Sequence, residues 1–200
     1  ADRLEALDFE ASLVSMSGSA PYVIAKKVVD AALPTITLYA HYDVQPVEED
    51  KWTTPPFEMH ERDGRLYGRG ASDDKAGIVT ILAALGAYKE ADRPLPCNVI
   101  VFLEGEEEYG SESMPACLEK EAHNIQSAAL IVLDGMNRDE ETGTLTSSTR
   151  GLVNVEVSLK ALEQSHHSGI GCLAPDVAQA MGGLVASLKE PALIESLSAG

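Results

Sequence analysis

The sequence predicts an α/β protein: a doubly wound, mostly parallel sheet, followed by the start of a smaller α+β domain. Three observations carry that expectation. Short β-branched apolar runs alternate with helical stretches over the first 149 residues, the pattern of parallel strands joined by crossover helices. Histidine or acidic residues stand directly after these runs, where open α/β sheets bind ligands. Near Thr149 the pattern changes to alternation of apolar and polar residues, typical of an antiparallel sheet with one solvated face.

Taken in order, Thr35–Ala40 (TITLYA) is rich in β-branched and aromatic residues and is entered from Pro34, so it reads as a strand ending at His41. Glu58–Arg69 holds an Arg-Asp-Gly turn between two short extended pieces, a hairpin. A helix follows over roughly Asp74–Glu90, with Ile78, Ile81, Leu82 and Leu85 at helical spacing. Asp73 or Asp74 also suits the N-cap of that helix. Asn98–Leu103 (NVIVFL), bounded by Pro96 and Gly105, reads as a buried strand that runs into Glu106, Glu107 and Glu108. Next come a helix near Ser113–Ala122 and a strand, Ala128–Leu133 (AALIVL), ending at Asp134. Leu152–Ala161 alternates as a strand, and Pro175–Lys189 reads as a helix with Val177, Met181, Leu184, Val185 and Leu188 on its apolar face. The boundary near Thr149 sets residues 1–149 as one domain and 150–200 as the second. No internal repeat or low-complexity tract occurs.

Composition narrows the possible partners. Two hundred residues with 44% hydrophobic and 24% charged content are ordinary for a globular protein and can bury a sizeable core. The formal charge of −17 and the pI near 4.5 argue against nucleic acid and anionic membrane surfaces. Cys97, Cys117 and Cys172 are odd in number and lack a C-x-x-C spacing, which favours reduced thiols and a cytoplasmic setting over a disulfide framework or thiolate metal site. The longest mostly apolar stretch, Ala76–Tyr88, is too short to span a bilayer, and no signal-peptide pattern opens the chain.

Several acidic residues stand where solvated charge runs seldom occur. Three successive glutamates at the mouth of a buried strand crowd one another beside low-dielectric protein, a costly arrangement that a bound cation offsets. His41-x-Asp43 places two side chains on one side of extended backbone, so Asp43 can hold the second ring nitrogen of a metal-ligating His41. Asp73 can point into the crevice while the helix begins behind it, and Asp134 supplies a further oxygen. Glu107 and Glu108 are adjacent and can divide labour between metal ligand and general base. Imidazole with carboxylates and no thiolate suits zinc, cobalt or manganese in a hydrolytic site. No H-E-x-x-H motif occurs.

HYDVQP (His41–Pro46), LYGRGASDDK (Leu66–Lys75), EGEEEYGS (Glu104–Ser111), the strand-end Asp134 and HSG (His167–Gly169) occur in that order. Together they resemble the carnosinase/aminoacylase/desuccinylase family of dinuclear zinc peptidases, with HYDVQP closest to the dipeptidase branch. The resemblance covers roughly Pro34–Lys189. It implies that two divalent metals bind, zinc first, with manganese or cobalt as substitutes. His41 and Asp134 would ligate one metal, Asp73 would bridge both, and Glu108 would ligate the other. Glu107 would be the general base, Asp43 would support His41, and Glu106 would be a spectator. A cis peptide between Asp73 and Asp74 is also implied. The smaller domain would be a lid and dimerisation domain, through which the full-length protein forms a homodimer. His167 would cross from it to the partner subunit's active site and stabilise the oxyanion, and the neighbouring His166 could take that role instead.

The chain also departs from that family. No histidine follows Gly169, so the second metal lacks its expected ligand. Gly169–Asp176 is shortened, and Ser165 stands where an acidic residue is often found. The expected activity is hydrolysis of the amide bond of dipeptides or short peptides by a metal-activated water. The alternatives are an N-acyl-amino-acid deacylase or desuccinylase with the same machinery, or a metal-binding fragment without turnover.

Overall fold

A strand buried along its whole length organises the first part of the molecule. The computed structural model describes residues 1–139, 141–152, 154–160, 162, 167, 169 and 176–188, and the chain divides into two units, Ala1–Ser147 and Ser148–Gly200. In the first unit, β6 (Asn98–Glu104) is buried at all seven positions because it is the middle strand of five. Its neighbours are β1 (Glu10–Val14) and β2 (Tyr22–Lys27) on one side, and β3 (Thr35–His41) and β7 (Ala129–Val132) on the other, in the order β1-β2-β6-β3-β7.

The period of two along β6 divides the core. Val99, Val101 and Leu103 pack with Ile81 and Leu85 of α2 (Lys75–Glu90) on one face. Ile100 and Phe102 pack on the other with Tyr22, Ile24 and Cys117, the last from α3 (Met114–Glu121). On α2 the buried residues Gly77, Ile81 and Leu85 recur every four positions, the spacing of one helix face. A short α1 (Asp2–Glu5) adds Leu4 to the first core.

The sheet is mixed. Pairing is parallel for β6–β3 and β3–β7, as the β/α alternation predicts, and antiparallel for β1–β2 and β2–β6. The two antiparallel strands precede Thr35, where the sequence reading assigns no element. The apolar part of β2 is the four-residue run YVIA, too short for periodicity to separate strand from helix. The expected hairpin is β4 (His60–Arg62) with β5 (Arg65–Tyr67). Asp63 and Gly64 both have positive φ, 53° and 71°, which a two-residue turn matched to strand twist requires.

Parallel pairing also places the site. Register sets His41 against Glu104, and Leu133 N donates to Tyr39 O at 2.9 Å, so His41, the glutamate run and Asp134 emerge at the same sheet edge.

In the second unit α4 (Val177–Ser187) is capped by Asp176, whose carboxylate accepts from Ala178 N at 2.9 Å and Gln179 N at 3.1 Å. The expected strand over 152–161 does not form at its described residues. Alternation needs a facing strand, and no ladder partner occurs for it among the described residues. Ser165, His166 and Cys172 lie outside the described residues, as does most of the shortened segment 169–176. Cys97 and Cys117 are free thiols. Among the described residues no helix is long and apolar enough to cross a membrane.

Candidate metal centre

His41 is the hub. It closes β3, its side chain is 1% exposed, and both ring nitrogens face carboxylates. Nδ1 lies 3.2 Å from Asp43 Oδ1, the carboxylate–histidine pairing that fixes a ligand ring and leaves Nε2 for a metal. Nε2 lies 3.0 Å from Asp73 Oδ1, 3.7 Å from Asp134 Oδ2 and 3.9 Å from Glu107 Oε2. One donor atom each from His41, Glu107 and Asp134 falls within 4.8 Å of the others, a spacing one ion can span.

Each side chain is delivered by a different element. Asp73 precedes α2 and joins Asp74 through a cis peptide bond, as expected. The split between the two aspartates is sharp. Asp73 is 63% exposed at its side chain, whereas Asp74 is buried and its Oδ2 accepts the main-chain N–H of His41 at 3.0 Å. The carboxylate of Asp74 therefore ties the start of α2 to the end of β3. Gly77 allows this approach: a Cβ there would lie 2.4 Å from Leu133 O and 2.5 Å from Asp74 Oδ1.

Glu107 and Glu108 sit in a single 3-10 turn, Glu107–Tyr109, and Asp43 secures its start. Asp43 Oδ2 accepts from Glu108 N at 2.9 Å and Oδ1 from Glu107 N at 3.3 Å. One aspartate thus orients the histidine and both glutamates, although the His-x-Asp spacing indicates only the first of these jobs. Glu108 is held from the β3 side as well: Gln45 Nε2 donates to its Oε2 at 3.1 Å and to its carbonyl at 2.7 Å. Gln45 lies within HYDVQP, so the motif already contained that contact.

Glu106, expected to be neither base nor ligand, is bonded into the fold. Its carboxylate accepts from the Tyr22 hydroxyl and, at 2.9 Å, from Ser113 N. Glu104 is 1% exposed and accepts from the hydroxyls of Tyr39 and Ser111. Neither tyrosine carries a local sequence signal, because each contact depends on strand register. His167 belongs to the second unit, where its Nδ1 accepts from Gly169 N at 3.0 Å.

Electrostatics mark the same cluster. Burial pulls the His41 imidazole toward neutrality, but the charges of Asp134, Asp43, Glu107 and Asp74 outweigh it and raise its pKa above the ordinary value. The Glu107 carboxyl is pushed up by burial, opposed by His41 and reinforced by Asp134, Glu108 and Asp43. Asp74 is pushed up by burial, partly offset by the His41 amide. Carboxylates that converge on one buried imidazole repel one another, and a divalent cation relieves them all at once. The donor set is hard and borderline, nitrogen and oxygen without sulfur, and fits zinc, manganese or cobalt.

Comparison with known proteins agrees with this geometry. The profile of the peptidase family M20/M25/M40 matches residues 37–195. The chain belongs to that family. A Beta-Ala-His dipeptidase of Rattus norvegicus is 35% identical over 152 residues, covering 74% of this chain and 31% of the relative. A cysteinylglycine-S-conjugate dipeptidase of Corynebacterium striatum is 34% identical over 182 residues, covering 90% of this chain and 40% of the relative. Human carnosine dipeptidase 1 superposes with a TM-score of 0.63 at 31% identity, over 68% of this chain and 31% of that one. The chain therefore spans well under half the length of these family members.

Proposed function

We propose that the protein containing this chain is a metal-dependent dipeptidase that hydrolyses the amide bond of dipeptides or short peptides. The observation that carries the reading is the convergence of Asp73, Asp134 and Glu107 on His41 Nε2, within 3.0–3.9 Å, in a member of a peptidase family. The two relatives described above, both dipeptidases by name, support a dipeptide substrate over an N-acyl amino acid.

In this reading His41 and Asp134 would hold one divalent ion, Glu108 would hold a second, and Asp73 would serve both. Zinc is the first choice of metal. Metal bound by these residues would supply polarisation of the scissile carbonyl and a lowered pKa for water at the site. Glu107 receives the proton of the attacking water and delivers it to the leaving amine, a task suited to a carboxyl held above its ordinary range. Asp43 keeps Glu107 and His41 in mutual register through its bonds to the Glu107 amide and the imidazole. His167, from a partner subunit in a homodimer built through residues 150–200, stabilises the oxyanion. Free Cys97 and Cys117 support a reducing, cytoplasmic setting for the same protein.

The test uses the full-length protein with zinc, manganese and cobalt in turn, against matched dipeptides and N-acyl amino acids. The reading predicts metal-dependent dipeptide turnover that chelation abolishes and metal restores. Turnover of N-acyl amino acids alone moves the assignment to a deacylase. No turnover of either class with any of the three metals contradicts it.

A further inference from the structure

We propose that Glu106 is a positioning residue for Glu107: its carboxylate pins the glutamate loop to the core strand β2 and to the start of α3. The inference rests on the role proposed above for Glu107. Three observations carry it. Tyr22 is fully buried on β2, and its hydroxyl donates to Glu106 Oε1 across 84 residues of sequence. The same oxygen accepts Ser113 N, at the position that opens α3. The Glu106 carbonyl accepts both Tyr109 N at 3.1 Å and Ser111 N at 2.9 Å, closing the turn that contains Glu107 and Glu108.

Glu107 is thereby held from two directions. Asp43 takes its amide from the β3 side, and Glu106 anchors the preceding residue from the β2 side. A solvated acidic side chain would leave the Tyr22 hydroxyl buried without an acceptor, so the pairing is built into the core rather than resting on the surface. A loop cut from one anchor loses the placement of its base, while His41 and Asp134, at the ends of other strands, stay in place. Displacements of about 1 Å can lower turnover on the order of a hundredfold.

The experiment compares Glu106→Ala, Glu106→Gln and Tyr22→Phe in the full-length protein. Three readouts are taken: kcat and KM on a dipeptide, bound metal, and amide hydrogen exchange over 106–113. Glu106→Gln keeps an acceptor oxygen for both donors. The proposal predicts kcat about tenfold or more lower for Glu106→Ala and lower for Tyr22→Phe, with KM unchanged and the metal assigned to His41 and Asp134 retained. It also predicts faster exchange over 106–113 in both, and Glu106→Gln close to wild type. Wild-type kcat in Glu106→Ala, or equal losses in the Ala and Gln variants, overturns it. Should Glu106→Ala not fold, Tyr22→Phe against Glu106→Gln decides by the same criteria. If the wild type itself turns over no dipeptide, the dipeptidase reading fails separately and exchange alone decides. Faster exchange in Glu106→Ala but not Glu106→Gln then supports the anchor, and equal exchange overturns it.

Discussion

Asp43 carries more of the site than its modest motif implies. Its two oxygens serve the His41 ring and the amides of Glu107 and Glu108, so one carboxylate aligns the proposed metal ligand with the proposed base. Removing such an outer partner typically costs about 10–100-fold in metal affinity. Asp43→Ala is therefore expected to weaken metal binding by that order, read by competition with a chromophoric chelator, while Asp43→Asn, which keeps an acceptor, loses less. Glu104 makes a different prediction. Burial, its largest influence, raises its carboxyl above the ordinary value of 4.5, against the opposing bonds from Tyr39 and Ser111. A carboxyl raised on folding favours the folded state fully below its unfolded pKa, and that contribution is lost as pH rises through the folded value. Urea midpoints of the chelated protein should accordingly decline from about pH 4.5 upward more steeply than those of Glu104→Gln. Parallel pH profiles would remove Glu104 as the cause.

At the scale of elements, the approach of α2 to the strand ends decides where Asp73 and Asp74 point. Gly77 is the contact point, since a methyl there would press on Leu133 O and Asp74. Gly77→Ala gains up to about 1 kcal/mol of helix propensity. The overlap costs about 1–3 kcal/mol, so a net loss of stability is expected. Gly86, on the same helix, faces open space: a methyl there would meet nothing within 4 Å, so Gly86→Ala should stabilise by up to about 1 kcal/mol. Thermal unfolding of the pair separates packing from propensity. If both glycines respond alike, the close approach of α2 to the β7 end does not constrain the fold.

Across the whole molecule, much of the architecture was legible because it is encoded locally. NVIVFL reads as a doubly buried strand and occupies the centre of the sheet. The Asp-Gly turn and the i, i+4 stripe of α2 likewise need no distant partner. The convergence of His41, Glu107 and Asp134 follows from parallel strands that end at one edge, so motif order was enough to anticipate it. Two things were not legible. The antiparallel pair β1–β2 rests on short runs whose pairing is set by tertiary contact. The contacts of Glu104 and Glu106 depend on tyrosines 65 and 84 residues away, brought near only by strand register. The second unit was read from alternation at Leu152–Ala161, a pattern that forms no ladder at its described residues. In the proposed function a carboxylate-ringed His41 holds metal while Glu107 moves the proton. Its most direct test is Glu107→Ala in the full-length protein, with bound metal and dipeptide turnover measured on the same sample. The expected result is wild-type metal content with turnover lower by about 10²–10⁴-fold. Wild-type turnover in this variant would contradict it.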